Sequence, residues 1–374
     1  MHFRALATVR ILEVQEDKEI DRQIKEDLEE LQMKKEAGEE SVVLDFLIER
    51  CQGLRSAFSR AVDSHVSEVM YPYFEGIEDP RYLEFIDRTA QLREELKKGV
   101  DCIKLPEGRI VELYSNPIYN SFTIRDGKVF QRDAGPLHQE KRTKSAKRMK
   151  ALLNYPREKL YKDFREYAEN ECGMIFDEEH QGYGFYYNSN SMWDWYSIGG
   201  RWPDMFLVKE TCTEYSIGER SWCNMDKTFE APEGYIWVCA ARKKDIAWDV
   251  MRDWENQKAT RAFSRLEKMF MSGKIEDNFR GEIVEDGILQ WDRYIYHKGD
   301  LLETYLEEYG IPKDWKYPIG VHDIVDADEW QAKDDKIYDS ATGTYIPVDW
   351  RKCLDKYIDA LDEDAVLVGV DYHM

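Results

Sequence analysis

The stretch AVLVGVDYHM, at residues 365–374, decides the fold, because its apolar run predicts a buried β-strand. Immediately before it, WRKCLDKYIDAL at residues 350–361 has helical apolar spacing, and Asp349 is placed to cap that helix. Near the other terminus, FRALATVRIL at residues 3–12 alternates apolar and polar residues, which predicts a strand with one buried face. A helix followed by a strand can bring the last strand beside the first.

Helices and strands are mixed along the rest of the chain without regular alternation. This arrangement is typical of the α+β class, with a mixed, largely antiparallel sheet and packed helices. Three predicted helices fall within residues 13–99, and the last of them runs from Tyr82 to near Gly99. We therefore predict an α+β core domain formed by residues 1–12 and 100–374, with an N-terminal helical insertion at residues 13–99.

The composition is that of a folded and strongly acidic protein. Of 374 residues, 43% are hydrophobic and 13% aromatic, so the chain can bury a substantial core and disorder is not expected. The formal net charge is −22, which repels a phosphate backbone and disfavours direct binding of nucleic acid. The same charge favours a protein partner with a basic surface.

Targeting and cofactor signals are missing from the sequence. No apolar run approaches the roughly 20 residues that a membrane helix needs, and the N-terminal apolar stretch contains two arginines, Arg4 and Arg10, unlike a signal peptide. The 7 cysteines are scattered without a CxxC pair, as expected for reduced thiols. We therefore expect a cytoplasmic protein without a membrane segment, and no cofactor.

The segment NSNSMWDWYSIGGRWPDMF, at residues 188–206, is a candidate ligand pocket. Two adjacent glycines free the backbone for a tight bend or for the close approach of a ligand, and an arginine among aromatic rings can stack on a base and bind a phosphate. The alternative is a folding corner, in which the tryptophans fill core and Arg201 pairs with Asp194 or Asp204. The candidate ligand-binding residues are Tyr186, Trp193, Trp195, Tyr196, Gly199, Gly200, Arg201 and Trp202.

The two ends of the chain supply a second candidate site. Asp371 and His373 share one face of the predicted last strand, because side chains alternate along a strand. If the first strand runs antiparallel beside it, His2 comes close to both. Two imidazoles and one carboxylate suit a divalent metal or general acid–base catalysis. The alternative is a frayed terminus with solvated polar side chains.

Two other charged features have plain alternatives. His322 with Asp323, Asp326 and Asp328 forms an acidic turn that resembles a cation loop only in part, so a solvated hairpin is favoured. The basic run from Lys141 to Lys150 can receive an anion or an acidic partner, although such runs are usually solvated surface.

The sequence WDWYSIGGRW, at residues 193–202, resembles a family of uncharacterised proteins carried by phages and prophages. Members share a WDWYxIGGRW core after an Asn-rich turn and a C-terminal strand that ends in Val-Asp-x-His, found here at residues 370–373. The chain departs from the family pattern at Ser189 and Met192, where Pro and Lys are usual. The resemblance implies a phage-borne accessory protein in the cytoplasm of the infected cell, and it implies no particular activity.

The common hydrolase, NTPase and dinucleotide signatures are absent: there is no GxSxG, Walker loop or GxGxxG. We therefore expect a phage accessory protein that acts by binding, as an acidic inhibitor of a host defence protein. One alternative is a nucleotide-binding or phosphorylated-metabolite-binding protein or enzyme that uses the pocket at residues 193–202. Another is a metal-dependent hydrolase at His2, Asp371 and His373. Whether the protein is an enzyme stays open.

Overall fold

The fold is of the α+β class, with helices packed on mixed, largely antiparallel sheets, as predicted from the sequence. The computed structural model describes residues 1–12, 14, 18–38, 43–44, 47–48, 51, 56–114, 121–132, 140–223, 229–277, 279–290, 294–333, 336–339 and 344–374. The helix predicted at residues 41–54 lies largely outside the described residues.

The chain forms two compact units, Met1–Gly76 with Asn190–Met374, and Ile77–Ser189. This division differs from the predicted core of residues 1–12 and 100–374 and insertion of residues 13–99. The helix Ala57–Met70 belongs with the first unit because its buried residues pack in the same cluster as the first and last strands. The second unit instead buries two clusters of its own.

The first unit contains five of the described helices and fifteen of the described strands. Its helices are α1 (Lys18–Glu36), α2 (Ala57–Met70), α6 (Trp248–Ser272), α7 (Leu302–Tyr309) and α8 (Trp350–Ala360). Its strands are β1 (His2–Val9), β11 (Trp195–Gly200), β12 (Phe206–Lys209), β13 (Tyr215–Ser216), β14 (Glu219–Arg220), β15 (Tyr235–Val238), β16 (Ala240–Arg242), β17 (Gly281–Val284), β18 (Gly287–Gln290), β19 (Ile295–His297), β20 (Asp323–Val325), β21 (Trp330–Ala332), β22 (Lys336–Asp339), β23 (Thr344–Pro347) and β24 (Val366–His373).

The last strand is the centre of an eight-stranded sheet in this unit. The order is β13-β16-β24-β1-β20-β21, and β11 pairs with both β24 and β14. β24 runs antiparallel to β1 along its full length, from Val9 opposite Val366 to His2 opposite His373. The first and last strands are therefore neighbours, as expected, and they run antiparallel, which is the condition under which His2 is expected to come close to Asp371 and His373.

The two faces of this sheet bury different cores. One face packs small and branched residues of β1 and β24, such as Ala7 and Val368, against α2. The other packs Leu6 and Leu367 against Phe206 and the helix α8. Asp349 caps α8 as predicted, since its carboxylate accepts the Lys352 N–H at 3.3 Å. Burial on both faces explains the continuous apolar run of β24.

Within the described residues, the second unit contains three α-helices and three small sheets. Its helices are α3 (Thr89–Lys97), α4 (Lys144–Arg148) and α5 (Phe164–Glu166). Its strands are β2 (Glu84–Asp87), β3 (Gly99–Lys104), β4 (Ile110–Glu112), β5 (Phe122–Arg125), β6 (Lys128–Arg132), β7 (Glu140–Lys141), β8 (Lys150–Pro156), β9 (Ile175–Asp177) and β10 (Gly182–Tyr187). The hairpin of β5 and β6 turns at Asp126-Gly127 as predicted, with φ of 49° and 66°. The helix predicted from Tyr82 instead contains β2 before α3.

In the part of the chain that the structure describes, none of the helices combines the length and apolar character needed to cross a membrane.

Candidate functional site

A cavity of about 710 Å³ opens in the first unit beside the end of the central sheet. The side chains that line it come from both ends of β11, from β14 and from the paired termini of β1 and β24. They include His2, Asp194, Trp195, Arg201, Trp222 and His373. The two candidate sites predicted from the sequence therefore converge on one cavity.

The strand register places these groups on one side of the sheet. His373 lies opposite His2 on β1 and opposite Trp195 on β11. Residues directly opposite each other on neighbouring strands project from the same face, so the two imidazoles and the indole are neighbours. The prediction that His2 comes close to Asp371 and His373 is confirmed, with 5.1 Å between the ring centroids of the two histidines.

Asp371 is a fully buried carboxylate with partners on two sides. Its Oδ1 lies 3.0 Å from His2 Nδ1, and its Oδ2 accepts the Arg201 backbone N–H at 3.0 Å. The Arg201 guanidinium adds a longer ion pair, with Nε 4.0 Å from Oδ2. A buried carboxylate without such partners would cost several kcal/mol, so this network fixes both His2 and Arg201 at the cavity wall.

The Gly199-Gly200 pair lets the chain bend around this carboxylate. Both residues have positive φ, 84° and 54°, and the Trp202 N–H donates to the Gly199 carbonyl at 2.9 Å. A Cβ at Gly200 would lie 2.5 Å from Asp371 Cβ, closer than any packed pair of atoms. The tight bend that the two glycines allow thus exists, and the group that Gly200 approaches is the Asp371 side chain rather than a ligand.

A second Asp–His pair stands across from the first. His373 Nδ1 lies 2.8 Å from Asp194 Oδ1, and this hydrogen bond lowers the pKa of Asp194. Each imidazole therefore faces a carboxylate with Nδ1. Among the residues that the structure describes, neither Nε2 has a hydrogen-bond partner. A carboxylate on Nδ1 holds the tautomer in which Nε2 can accept a proton.

Two exposed indoles flank the histidines. Trp195 is 47% exposed and meets His2 edge-on, with ring centroids 5.8 Å apart, and Trp222 is 76% exposed. Large aromatic side chains this open to solvent at a cavity are suited to stacking on a flat ligand. Arg201 and Arg220 add cationic groups to the same wall, and Glu219 adds an acidic one.

The remaining residues predicted for the pocket lie elsewhere. Trp193 donates from Nε1 to the Met70 carbonyl at 2.9 Å and, like Tyr196, packs against the core on the opposite face of the sheet. Trp202 stacks under the Arg4 guanidinium at 5.3 Å. Tyr186 belongs to the second unit, where its hydroxyl donates to Asp177 at 2.6 Å.

The predicted metal set of His2, Asp371 and His373 is divided between two separate pairs, because His373 turns to Asp194. Within the described residues, no group of three or more His, Cys, Asp or Glu side chains is arranged to hold a metal ion. The acidic turn after His322 is closed by its own hydrogen bonds. The Asp326 carboxylate accepts hydrogen bonds from the backbone N–H groups of Asp328 and Glu329, at 2.9 and 3.0 Å.

Asp323, the neighbour of His322, is buried on the face of the sheet that is opposite to the cavity. It accepts hydrogen bonds from the Tyr372 hydroxyl and from His322, whose Nδ1 is 2.9 Å away. Burial raises the pKa of the Asp323 carboxyl above its ordinary value. The favoured solvated hairpin thus describes the exposed end of the turn at Asp328, whereas Asp323 is buried in a hydrogen-bond network. The basic run from Lys141 to Lys150 lies in the second unit.

A second cavity, of about 410 Å³, lies along α6 in the first unit. Lys258, Arg261 and Arg265 line it, but each lies near a glutamate: Lys258 is 2.8 Å from Glu255, and Arg265 is 2.8 Å from Glu276. Its charges are therefore balanced internally, whereas the first cavity presents two imidazoles whose Nε2 atoms have no hydrogen-bond partner in the described part of the chain.

Sequence reasoning missed several members of the cavity, among them Asp194 as the partner of His373, Arg220 and Trp222. The folding-corner alternative paired Arg201 with a nearby acid, Asp194 or Asp204, whereas Asp371 holds it from 170 residues away. No local pattern marks Trp222. The cue available for Asp194 was its position just before β11, which pairs with the strand that carries His373.

No family model, curated protein or solved structure matches this chain.

Proposed function

We propose that the chain binds a small phosphorylated ligand with a planar base, of the nucleotide class, in the cavity beside β1, β11 and β24. The observation that supports this most directly is the meeting of Arg201 and two imidazoles with two exposed tryptophans on one wall. A guanidinium or an imidazolium donates hydrogen bonds to phosphate oxygens, and an indole face stacks on a base.

Size and charge favour a small ligand over a polymer. A cavity of about 710 Å³ lies within the range of small-molecule sites, about 300–1,000 Å³. The net charge of −22 repels a long polyanion, while a ligand with one or two phosphates meets only the local field of the cavity. Direct binding of nucleic acid polymers is accordingly not part of the proposal.

A thermal-shift experiment with nucleoside monophosphates tests the proposal. A ligand at one hundred times its dissociation constant stabilises the folded state by about 2.7 kcal/mol. We expect such a shift with a monophosphate, a smaller one with the nucleoside or with inorganic phosphate, and none after Arg201→Ala.

Arg265→Ala is the matched control, since Arg265 lies outside this cavity and its variant keeps the ligand shift. The absence of a shift with every monophosphate, or an equal shift in the Arg201→Ala variant, would count against the proposal.

A second candidate function follows from surface charge. With 75 acidic against 53 basic residues, the chain suits a partner with a basic face, and the WDWYSIGGRW resemblance suggests a phage-infected cytoplasm as its setting. The proposed partner is a host defence protein that this chain inhibits. Pull-down from host lysate at low and moderate salt is the test; a specific partner lost at moderate salt supports it, and recovery of none opposes it.

A further inference from the structure

We propose that the cavity cleaves a small ribonucleoside phosphodiester without a metal, with His2 as general base and His373 as general acid. This inference rests on the proposed binding function and assigns chemistry to the same site. Two imidazoles with ring centroids 5.1 Å apart can serve both ends of one phosphodiester.

The carboxylate partners define the state of each imidazole. His2 Nδ1 and His373 Nδ1 lie 3.0 and 2.8 Å from Asp371 and Asp194. An N–H on Nδ1 that donates to a carboxylate leaves Nε2 directed elsewhere, as a proton acceptor in the neutral ring or a donor in the imidazolium. In both rings Nε2 is without a hydrogen bond among the described residues.

The neighbouring cation distinguishes the two roles. Asp371 is buried and shared between His2 and Arg201, so the guanidinium balances part of its charge, and the proposal places the general base on this side. The Asp194 carboxylate is 45% exposed and lies 2.8 Å from His373, and the proposal places the general acid on this side. A general base and a general acid on one cavity wall form the pair that phosphodiester transfer needs.

The reaction balances with these groups alone. His2 Nε2 takes the proton of the ribose 2′-hydroxyl while the 2′-oxygen forms a bond to phosphorus. The bond from phosphorus to the 5′-oxygen breaks, and that oxygen takes a proton from His373. The products are a 2′,3′-cyclic phosphate and a free 5′-hydroxyl. Arg201 can stabilise the charge on the non-bridging oxygens, and Trp195 and Trp222 can hold the bases.

The test uses the full chain, the dinucleotide uridylyl-adenosine and its 2′-deoxyuridine counterpart, all in EDTA. We expect phosphorus NMR to show a 2′,3′-cyclic phosphate from the ribose substrate and no cleavage of the deoxy substrate. His2→Ala and His373→Ala should each lower kcat/KM by about 10²- to 10⁴-fold, the usual contribution of a general acid or base.

His297→Ala is the matched control, because His297 also lies near an aspartate, 3.8 Å from Asp286, and is not part of this cavity. It should keep full activity, and loss of activity in the His2 and His373 variants alone excludes a contaminating nuclease as the source of cleavage. Circular dichroism checks the folding of each variant, and His2→Gln or His373→Gln replaces any alanine variant that fails to fold.

The outcomes separate this inference from the binding proposal. A monophosphate thermal shift without dinucleotide cleavage overturns the catalytic inference and leaves binding in place. Equal cleavage of ribose and deoxyribose substrates, activity lost in EDTA, or full activity after both histidine substitutions also overturns it. Absence of both shift and cleavage removes the two proposals together.

Discussion

Replacing Gly200 by alanine tests whether the approach of β11 to Asp371 shapes the cavity. The new Cβ would lie 2.5 Å from Asp371 Cβ and 2.6 Å from its Oδ2, at a φ of 54°. Positive φ alone costs an alanine about 1–2 kcal/mol. Displacing the carboxylate weakens its bonds to the Arg201 N–H and to His2, and a hydrogen bond to a charged group contributes about 1.5–3 kcal/mol. We therefore expect a total loss of about 3–5 kcal/mol.

Gly273→Ala is the matched control, because Gly273 has a φ of 63° and no heavy atom lies within 4 Å of the point that a Cβ would occupy there. The Gly273→Ala variant therefore has the strain of a positive φ but no steric clash of the new Cβ. At about 2 °C per kcal/mol, the midpoint of thermal denaturation followed by circular dichroism should fall by about 6–10 °C for Gly200→Ala and about 2–4 °C for Gly273→Ala. Equal losses in the two variants would refute the claim that Asp371 requires a glycine at this position.

Three further substitutions probe the cores and the cavity. Phe206→Ala should lower the free energy of unfolding, measured by urea denaturation, by about 3–5 kcal/mol, because Phe206 is 0% exposed. A decrease of less than about 1 kcal/mol would contradict its place in the core. Trp222→Ala should change stability by less than about 0.5 kcal/mol, because the side chain is 76% exposed, and should weaken nucleotide binding by about 1–3 kcal/mol in calorimetry; unchanged affinity would remove Trp222 from the site. Burial raises the pKa of Asp323, so its carboxyl group holds a proton more tightly in the folded state than in the unfolded chain. The folded state is therefore most stabilised when this carboxyl group is protonated, and that stabilisation is lost as pH rises above about 4. Asp323→Asn should flatten the fall in stability as pH rises above about 4, and an unchanged slope would show that Asp323 does not cause it.

The central sheet was predictable because its signals are local. Alternation in the first strand, the apolar run of the last and the Asp349 cap identify three elements, and the two-residue period places Asp371 and His373 on one face. Strand order beyond this pair was not predictable. β11 runs parallel to β14, with Gly199 opposite Glu219, and nothing in either segment specifies the other.

The segment after Tyr82 shows why a helix was predicted wrongly. Its apolar residues Phe85 and Ile86 fit helical spacing as well as a short strand. β10 decides between them, since Tyr186 lies opposite Phe85 and Phe185 opposite Ile86, about one hundred positions along the chain. Such a partner supplies backbone hydrogen bonds that override a weak local preference.

The identity of the cavity also depended on distant contacts. The sequence singled out Arg201, Trp195 and the terminal histidines as two separate candidates, and only the pairing of β24 with both β1 and β11 unites them. Trp193 packs against the core. It lies before β11 and forms a backbone β-bridge with Phe74, so it is not part of the same strand as Trp195. The two-residue spacing therefore does not place the two indoles on one face.

The most direct test of the central claim is NMR of the protein labelled at histidine, titrated with a nucleoside monophosphate. The chain has 7 histidines, so each ring signal can be assigned by substitution. We predict saturable shifts of the His2 and His373 signals at the same ligand concentration, with His65 and His297 unmoved. Saturable binding that leaves the His2 and His373 signals in place would contradict the assignment of this cavity as the binding site.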